Sequence, residues 1–283
     1  MPKQSNHRRP PQWQITPRDL AILGEVLRWQ QLTTRQIARW FFDSPRTATN
    51  RIAVLLVLGY LRTIDLPWRA PVLVTATPKA ARARCDLGLK ARASQPGRLL
   101  HDLIVVEVAA WLLEQDLDAS WITERELLRD QLEQARDPAG RLRQGPSRRP
   151  DGVLVRSSGQ AEAVEVELTP KRDRTEYDRK LGWYLGQLHY TRVHWFAPSP
   201  ALRDRLIRVA QNLRMDDIVT ISPLPSGQTY PPGVRPNRYR GPQPHSGVTA
   251  SGGGSQPASR VLRSQAPFAP SGACCPRSQY ELV

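Results

Sequence analysis

Apolar residues recur at helical spacing between residues 16 and 61. Thr16 is placed to cap a first helix that begins with a proline, and Thr33 is placed to cap a second helix. A short turn at 43–45 leads into a third helix, which Gly59 should end. Three helices with a short turn between the second and the third are typical of a helix-turn-helix.

Two short β-strands should follow, over 61–66 and 72–77, with a proline-rich turn between them. A pair of strands after three helices is typical of the wing of a winged-helix domain. We therefore predict a winged helix-turn-helix domain over 15–85, preceded by a disordered basic arm over 1–14. Residues 78–100 are predicted to be a basic helix and linker, with the linker between the domains over 86–100.

The pattern changes after residue 100, where predicted strands and helices alternate. A largely apolar run at 101–114 predicts a core helix. The remaining predicted elements are strands at 121–128, 151–155, 163–168, 193–197 and 218–221 and helices at 174–187 and 200–213. This order predicts a mixed-sheet α+β or α/β domain over 101–225. Gly, Pro, Ser, Arg and Gln dominate the rest of the chain, so residues 226–283 should be a disordered tail.

The composition indicates an anionic partner. The chain has 283 residues, a formal net charge of +15 and a pI of about 10.6, and double-stranded DNA is the first candidate. There is no run of 18 apolar residues and no apolar signal core near the N-terminus, so neither a membrane partner nor secretion is expected. The three cysteines form no CxxC pattern, which fits a reducing, cytoplasmic location.

The third predicted helix has the composition of a DNA-reading helix. Its N-terminal half is polar and basic, as expected for a helix that contacts base edges and phosphates. The candidate DNA-binding residues are Arg46, Thr47, Thr49, Asn50 and Arg51 on this helix and Arg69 at the tip of the predicted wing. The alternative is a three-helix unit that mediates only protein contacts, but the strong positive charge favours DNA.

Three carboxylates lie on the predicted hairpin in the second half of the chain. Asp151 begins its first strand, and Glu165 and Glu167 share the face of the second strand that is opposite the valines. A hairpin can bring the three together, with Lys171 just beyond the strand end. Hard oxygen ligands suit Mg²⁺ or Mn²⁺, with Asp151 and Glu165 as the metal ligands. Such an ion can activate water for attack on a phosphoryl group. The alternative is an exposed hairpin whose acids face solvent.

Pro150-Asp151 followed by Glu165-Val166-Glu167 resembles the PD-(D/E)xK motif of restriction-endonuclease-like nucleases. The sequence departs from the motif at one position, because Glu167 stands where the motif has lysine. Some members have Glu there, and others have the lysine nearby, where Lys171 or Lys180 could serve. The resemblance implies a restriction-endonuclease-like domain and a metal-dependent centre in which Glu167 or Lys171 assists the attacking water.

Auxiliary candidates surround this motif. Nuclease folds of this class often have an acid on the first helix, which makes Glu107 a candidate fourth ligand, although a polar stripe on that helix explains it as well. Tyr177 and Lys180 should share one face of the helix after the acidic strand. Glu124, in the segment 121–125, is a further auxiliary candidate.

Taken together, the segments resemble the replication-relaxation family of plasmids and integrated mobile elements in Gram-positive bacteria. The matching segments are the predicted winged helix, His101-Asp102-Leu103, Trp121-Ile122-Thr123-Glu124-Arg125, Arg149-Pro150-Asp151-Gly152, and Glu165 to Lys171 with Tyr177 after it. The resemblance covers about residues 15–225. It implies a DNA-binding accessory protein of a mobile element that acts in replication, relaxation or mobilisation, beside a separate relaxase or replication initiator.

The sequence leaves two main functions open. No His-x-His and no GxxxxGK[ST] occurs, which argues against a histidine-metal relaxase and a P-loop helicase. One hypothesis is therefore a DNA-binding protein that nicks DNA through its acidic centre. The other is a non-catalytic winged-helix regulator or accessory factor with a degenerate nuclease fold. RNA is a third partner to consider, but no aromatic stacking pattern supports it.

Overall fold

The computed structural model describes residues 14–64, 72–142, 148–173 and 175–225. These residues fall within one compact unit of mixed α and β structure. The predicted arm up to residue 13, the tip of the predicted wing with Arg69, and the predicted tail lie outside the described residues. No helix in the described ranges has the length and apolar character needed to cross a bilayer.

The described residues form eight α-helices and eight β-strands. The helices are α1 (Pro17–Trp29), α2 (Thr34–Phe41), α3 (Pro45–Val57), α4 (Pro78–Ala83), α5 (Leu99–Gln115), α6 (Glu124–Gln134), α7 (Thr175–Leu185) and α8 (Pro200–Asn212). The strands are β1 (Gln31–Thr33), β2 (Leu61–Ile64), β3 (Leu73–Ala76), β4 (Ser120–Thr123), β5 (Gly152–Val155), β6 (Ala161–Val166), β7 (Tyr190–Phe196) and β8 (Val219–Ser222).

The first helices begin where their capping residues predict. The Thr16 side chain accepts a hydrogen bond from the backbone of Asp19, whose carboxylate accepts one from the Thr16 backbone, and Thr33 and Gln36 form the same capping box at α2. These boxes satisfy backbone N–H groups that a helix leaves free in its first turn. Gly59 follows α3 with φ of 71°, a left-handed conformation that favours glycine.

The first part of the chain contains a three-stranded antiparallel sheet in the order β1-β3-β2. The strands β2 and β3 confirm the two strands predicted after α3, but β1 was not predicted. A strand of three residues with one apolar side chain, Leu32, carries no alternation that a sequence pattern could reveal. Tertiary pairing with β3 creates it.

The second sheet has five strands in the order β4-β5-β6-β7-β8. The pairs β4·β5 and β5·β6 are antiparallel, whereas β6·β7 and β7·β8 are parallel. Val164 and Val166 of β6 pack in one hydrophobic cluster with α5, and Ala163 packs in another with α7 and α8. Helices therefore cover both faces of a mixed sheet, with α5 against Val164 and Val166 and with α7 and α8 against Ala163.

Two predicted elements differ from the structure. The strand predicted at 121–128 ends at Thr123, because Thr123 and Glu126 form a capping box that begins α6. The basic helix predicted within the linker ends at Ala83, and two short 3-10 turns and irregular chain follow it. Gly88 ends the first of these turns in the left-handed conformation, with φ of 62°.

Candidate functional site

The antiparallel register of β5 and β6 brings two of the predicted acids together. Gly152 is opposite Val164, so the next position along the ladder sets Asp151 opposite Glu165. Asp151 also accepts a hydrogen bond through Oδ2 from the backbone N–H of Val166, at 2.8 Å. The hairpin thus positions both carboxylates at one end of β6, as the alternation predicts.

Glu165 is fully buried beneath α7, with a relative exposure of 0%. Lys180 Nζ lies 2.5 Å from its Oε2, and the Tyr184 hydroxyl donates to its Oε1. Lys180 and Tyr184 are four residues apart and so share one helix face. This face includes the buried residues Tyr177 and Leu181, which confirms the predicted face of α7. The alternative of an exposed hairpin with solvent-facing acids is wrong for Glu165.

His101, at the start of α5, completes the cluster from the other side. Its Nε2 lies 3.3 Å from Asp151 Oδ2 and 3.1 Å from the Val166 carbonyl oxygen, and its Nδ1 lies 3.5 Å from Asp102 Oδ1. The sequence interpretation left His101 out of the site. The adjacent His101-Asp102 pair at a helix start was the available signal, but only the packing of α5 on the sheet brings it to Asp151.

The environment separates the protonation states of these groups. Burial alone would raise the pKa of Asp151, but the His101 hydrogen bond and the Lys180 charge lower it to about 2. Burial alone would lower the pKa of His101, but Asp102 and Asp151 raise it to about 10. Burial raises the pKa of Glu165 to about 7, despite the charge of Lys180. At neutral pH the centre therefore holds an ionised Asp151, a charged His101 and a Glu165 poised to exchange a proton.

Glu167 and Lys171 lie just beyond β6. The Glu167 backbone N–H donates to Phe196 at 2.9 Å, and Lys171 Nζ lies 3.4 Å from Glu167 Oε2. The Lys171 backbone N–H donates to the Tyr177 hydroxyl at 3.0 Å. Burial raises the pKa of Glu167, although both lysines oppose this shift. The predicted Tyr177 therefore supports the loop that carries Lys171.

Lys180 is the cation that the three carboxylates share. The Lys180 charge acts on Glu165, Asp151 and Glu167. These three carboxylates raise the pKa of the Lys180 ammonium group, although burial alone would lower it. The ammonium also lies 5.3 Å from the centre of the Trp195 ring. Lys171 by contrast pairs with Glu167 and Glu176. Of the two candidate lysines, Lys180 contacts the buried acid.

Two carboxylates of the centre have the chemistry of divalent-cation ligands, but they do not form a complete set of protein ligands. No group of three or more His, Cys, Asp or Glu side chains in the described residues is arranged to hold a metal ion. Mg²⁺ often uses only one or two protein carboxylates and takes its other ligands from water and phosphate. Asp151 and Glu165 fit that donor class. A metal there would compete with Lys180 for Glu165 and with His101 for Asp151.

The remaining acidic candidates lie in two different places. Glu124 pairs with Arg98 and Arg149, and it lines a pocket of about 140 Å³ together with His101 and Asp151. Glu107 instead accepts a hydrogen bond from Gln36 at 2.8 Å and pairs with Arg39 at 3.2 Å. The Glu107 carboxylate therefore contacts α2, and no contact with Asp151 or Glu165 occurs among the described residues.

The predicted DNA-reading face of α3 divides into exposed and structural residues. Arg46, Thr47, Thr49 and Asn50 are exposed. Arg51 is engaged instead, because its guanidinium binds both carboxylate oxygens of the buried Asp19. Arg51 thus joins α3 to the start of α1, and the other four candidates on α3 are the exposed ones.

Replacing Arg51 by Ala should lower the free energy of unfolding by about 2 kcal/mol, because Asp19 would remain buried without its cation. Arg46→Ala removes the same charge from an exposed position of the same helix and should change stability by less than about 0.5 kcal/mol. Urea unfolding of the two variants measures the difference. Equal stabilities would contradict the structural role of Arg51.

The stability of the protein should depend on pH through Glu165. Its pKa is about 7 in the folded protein, above the ordinary 4.5, so its contribution is fully present below pH 4.5 and is lost as the pH rises through about 7. Glu165→Gln does not titrate and should therefore gain stability relative to the unsubstituted protein between pH 5 and pH 8. Urea midpoints at the two pH values test this, and a pH-independent difference would refute it.

Comparisons of the chain with protein-family models, with curated proteins and with solved structures found no match.

Proposed function

We propose that this protein binds double-stranded DNA of a plasmid or integrated mobile element and acts in its replication, relaxation or mobilisation. In this proposal a winged helix-turn-helix over 15–85 holds the duplex, and a nuclease-like domain over 101–225 carries an acidic centre capable of nicking it. The observation that carries the proposal is the contact between Lys180 and Glu165, 2.5 Å apart. The motif has lysine at the position of Glu167, and in this protein Lys180 brings a lysine ammonium group to the acids instead.

The order of the elements supports a nuclease-like centre. Asp151 precedes one strand, Glu165 is near the end of its antiparallel neighbour, and Lys180 comes from the helix that follows. A carboxylate pair beside a lysine is a suitable arrangement for phosphodiester hydrolysis, because the pair can hold a cation and the lysine can stabilise negative charge.

The residues of the centre have distinct roles in the proposed reaction. Asp151 remains ionised, because His101 and Lys180 hold its pKa near 2. Glu165, buried beside Lys180, is the second carboxylate offered to a cation, and Glu167 or Lys171 would assist the attacking water. Lys180 keeps its ammonium beside the developing charge. Mg²⁺ or Mn²⁺ bound by Asp151 and Glu165 would supply Lewis-acid polarisation of a phosphoryl oxygen.

The exposed face of α3 supports the DNA-binding part of the proposal. Its N-terminal half presents Arg46, Thr47, Thr49 and Asn50, side chains that contact phosphates and base edges. The strongly basic chain adds a sequence-independent attraction to duplex DNA. A separate relaxase or replication initiator would be the protein partner at the origin.

A second candidate function is a non-catalytic DNA-binding regulator or accessory factor. One observation favours it: protein cations already engage both acids, Glu165 through Lys180 and Asp151 through His101. A centre whose charges are already paired can have a purely structural role, which is to join α5 and α7 to the sheet. In that case the nuclease-like domain would be retained for its shape and charge.

The test is nicking of supercoiled plasmid with Mg²⁺ or Mn²⁺. We expect nicking by the unsubstituted protein and its loss in Asp151→Asn and Glu165→Gln. Arg208→Gln, an exposed substitution on α8, is the control that should retain nicking. Absence of nicking with intact, salt-dependent duplex binding would overturn the nuclease part and leave the accessory function. Absence of duplex binding would overturn the proposal as a whole.

DNA affinity should respond to the exposed residues of α3. Arg46→Ala should weaken duplex binding and reduce the dependence of log affinity on log salt by about one phosphate contact, because one released counterion corresponds to one neutralised phosphate. Titration of a fluorescent duplex at several salt concentrations measures this slope. The matched variant Arg208→Gln should leave it unchanged, and equal slopes in both variants would refute the contact.

A further inference from the structure

A pocket of about 140 Å³ lies next to the acidic centre, and its lining carries an excess of arginine. Five arginines line it, together with the three acids Asp102, Glu124 and Asp151. The arginines are Arg28, Arg92, Arg98, Arg125 and Arg149. Several guanidinium groups around one small concave space create a positive potential that favours an anion of matching size.

Two of these arginines form no salt bridge among the described residues, although the Glu126 carboxylate opposes the lowering of the Arg125 pKa. Arg125 is half-buried, and its guanidinium donates to the backbone carbonyls of Leu27 and Lys90. Arg92 is exposed, and its charge adds to the burial that lowers the pKa of Arg125 to about 10. Two neighbouring guanidinium groups without an ion pair repel one another, so an anion between them would lower the energy of both.

Two further arginines share the Glu124 carboxylate, and Arg98 also lies 3.8 Å from Asp102. Arg98 donates through Nη2 to Glu124 Oε2 at 2.8 Å, and Arg149 Nη2 lies 2.9 Å from Glu124 Oε1. Arg149 Nε is buried and has no hydrogen-bond partner in the part of the chain that the structure describes. A carboxylate whose two oxygens bridge two arginines occupies them as a phosphate would. Glu124 is thus the internal anion that both guanidinium groups hold.

We propose that this pocket binds a phosphate monoester, either the terminal phosphate of a DNA strand or the phosphate of a free nucleotide. The dianion would meet Arg92 and Arg125 and displace Glu124 from Arg98 and Arg149. Trp29 also lines the pocket, with its ring stacked on Trp121. Because Asp151 lines the same pocket, the phosphate would sit next to the acidic centre. The inference uses the proposed DNA-binding function only for the first of the two sources.

The test compares ligands that differ by one phosphate. Binding of AMP is compared with adenosine, and binding of a 5′-phosphorylated blunt duplex with the same duplex carrying 5′-hydroxyl ends. We expect at least one phosphorylated ligand to bind about tenfold or more tightly than its unphosphorylated partner. One or two charge-assisted hydrogen bonds produce an affinity difference of this size. Preference in the duplex pair identifies the DNA end as the source, and preference only for AMP identifies a free nucleotide. No preference in either pair overturns the proposal.

Substitutions assign the preference to the pocket. Arg92→Gln, at an exposed position, should lower the phosphate preference by about tenfold, whereas Glu124→Gln should raise it by freeing Arg98 and Arg149. Arg208→Gln removes the same charge from α8, outside the pocket lining. It should leave the phosphate preference unchanged. An unchanged preference in both Arg92→Gln and Glu124→Gln would overturn the assignment. Closed circular plasmid has no strand ends, so its binding tests the proposed DNA function separately.

Discussion

Lys180→Met should lower the free energy of unfolding by about 3–5 kcal/mol at neutral pH, the usual cost of removing one partner from a buried ion pair. The side chain of Glu165 is only 1% exposed and loses its cation in this variant. Asp151 and Glu167 lose the same compensating charge. The loss should be smaller at pH 5 than at pH 8, because an unpaired Glu165 can then take up a proton. Urea unfolding at the two pH values measures both effects.

Two further variants separate a buried ion pair from general damage to α7. Lys180→Met combined with Glu165→Gln should recover much of the lost stability, since no unpaired buried charge remains. Lys171→Met removes the same charge from a more exposed pair, in which Lys171 Nζ is 3.4 Å from Glu167, and should cost less than about 1 kcal/mol. A double variant as unstable as the sum of the single variants would refute the pairing as the cause.

Gly152→Ala should destabilise the protein by about 3 kcal/mol, at the upper end of the usual cost of overpacking a core. A Cβ on Gly152 would lie 2.1 Å from Cζ2 of Trp121 and 2.5 Å from its Cε2. The Trp121 ring cannot easily withdraw, because it stacks on Trp29 with ring centres 6.0 Å apart and packs in the cluster beneath α5. Thermal unfolding should therefore show a large drop in the midpoint.

The matched control is Gly182→Ala, inside α7, where an added Cβ would meet nothing within 4 Å. That substitution should stabilise the protein by about 0.5–1 kcal/mol, because Ala loses less backbone entropy than Gly when it enters a helix. Gly152→Ala combined with Trp121→Leu should cost less than the sum of its parts. Strict additivity would mean that the clash with Trp121 is not the cause.

Interactions between residues close in the chain made several features of this protein predictable from its sequence. Thr16 and Thr33 cap helices through hydrogen bonds to residues three positions away, and such contacts depend on neighbours alone. Alternation along β6 placed Glu165 on the face opposite Val164 and Val166 because the pleat repeats every two residues. The helical period of 3.6 residues put Tyr177 and Lys180 on one face of α7.

Medium-range pattern was less informative. The extension of β4 to residue 128 was wrong, although the Thr123 and Glu126 capping signal was present in the sequence. A run of mixed polar and apolar residues fits both a strand and the first turns of a helix, and the cap decides between them. For β1, with three residues, only its pairing with β3 identifies a strand.

Hairpin register and helix periodicity are local, so the amino-acid pattern alone shows which acids can meet and which helix follows them. The charge partners emerge when the helices pack on the sheet. Lys180 rather than Lys171 reaches Glu165, His101 reaches Val166 across 65 residues, and Glu107 turns to Gln36 across 71. Such partners depend on how helices pack on the sheet, where burial leaves each charged group in need of a partner. Chain separation gives no information about which partner that will be.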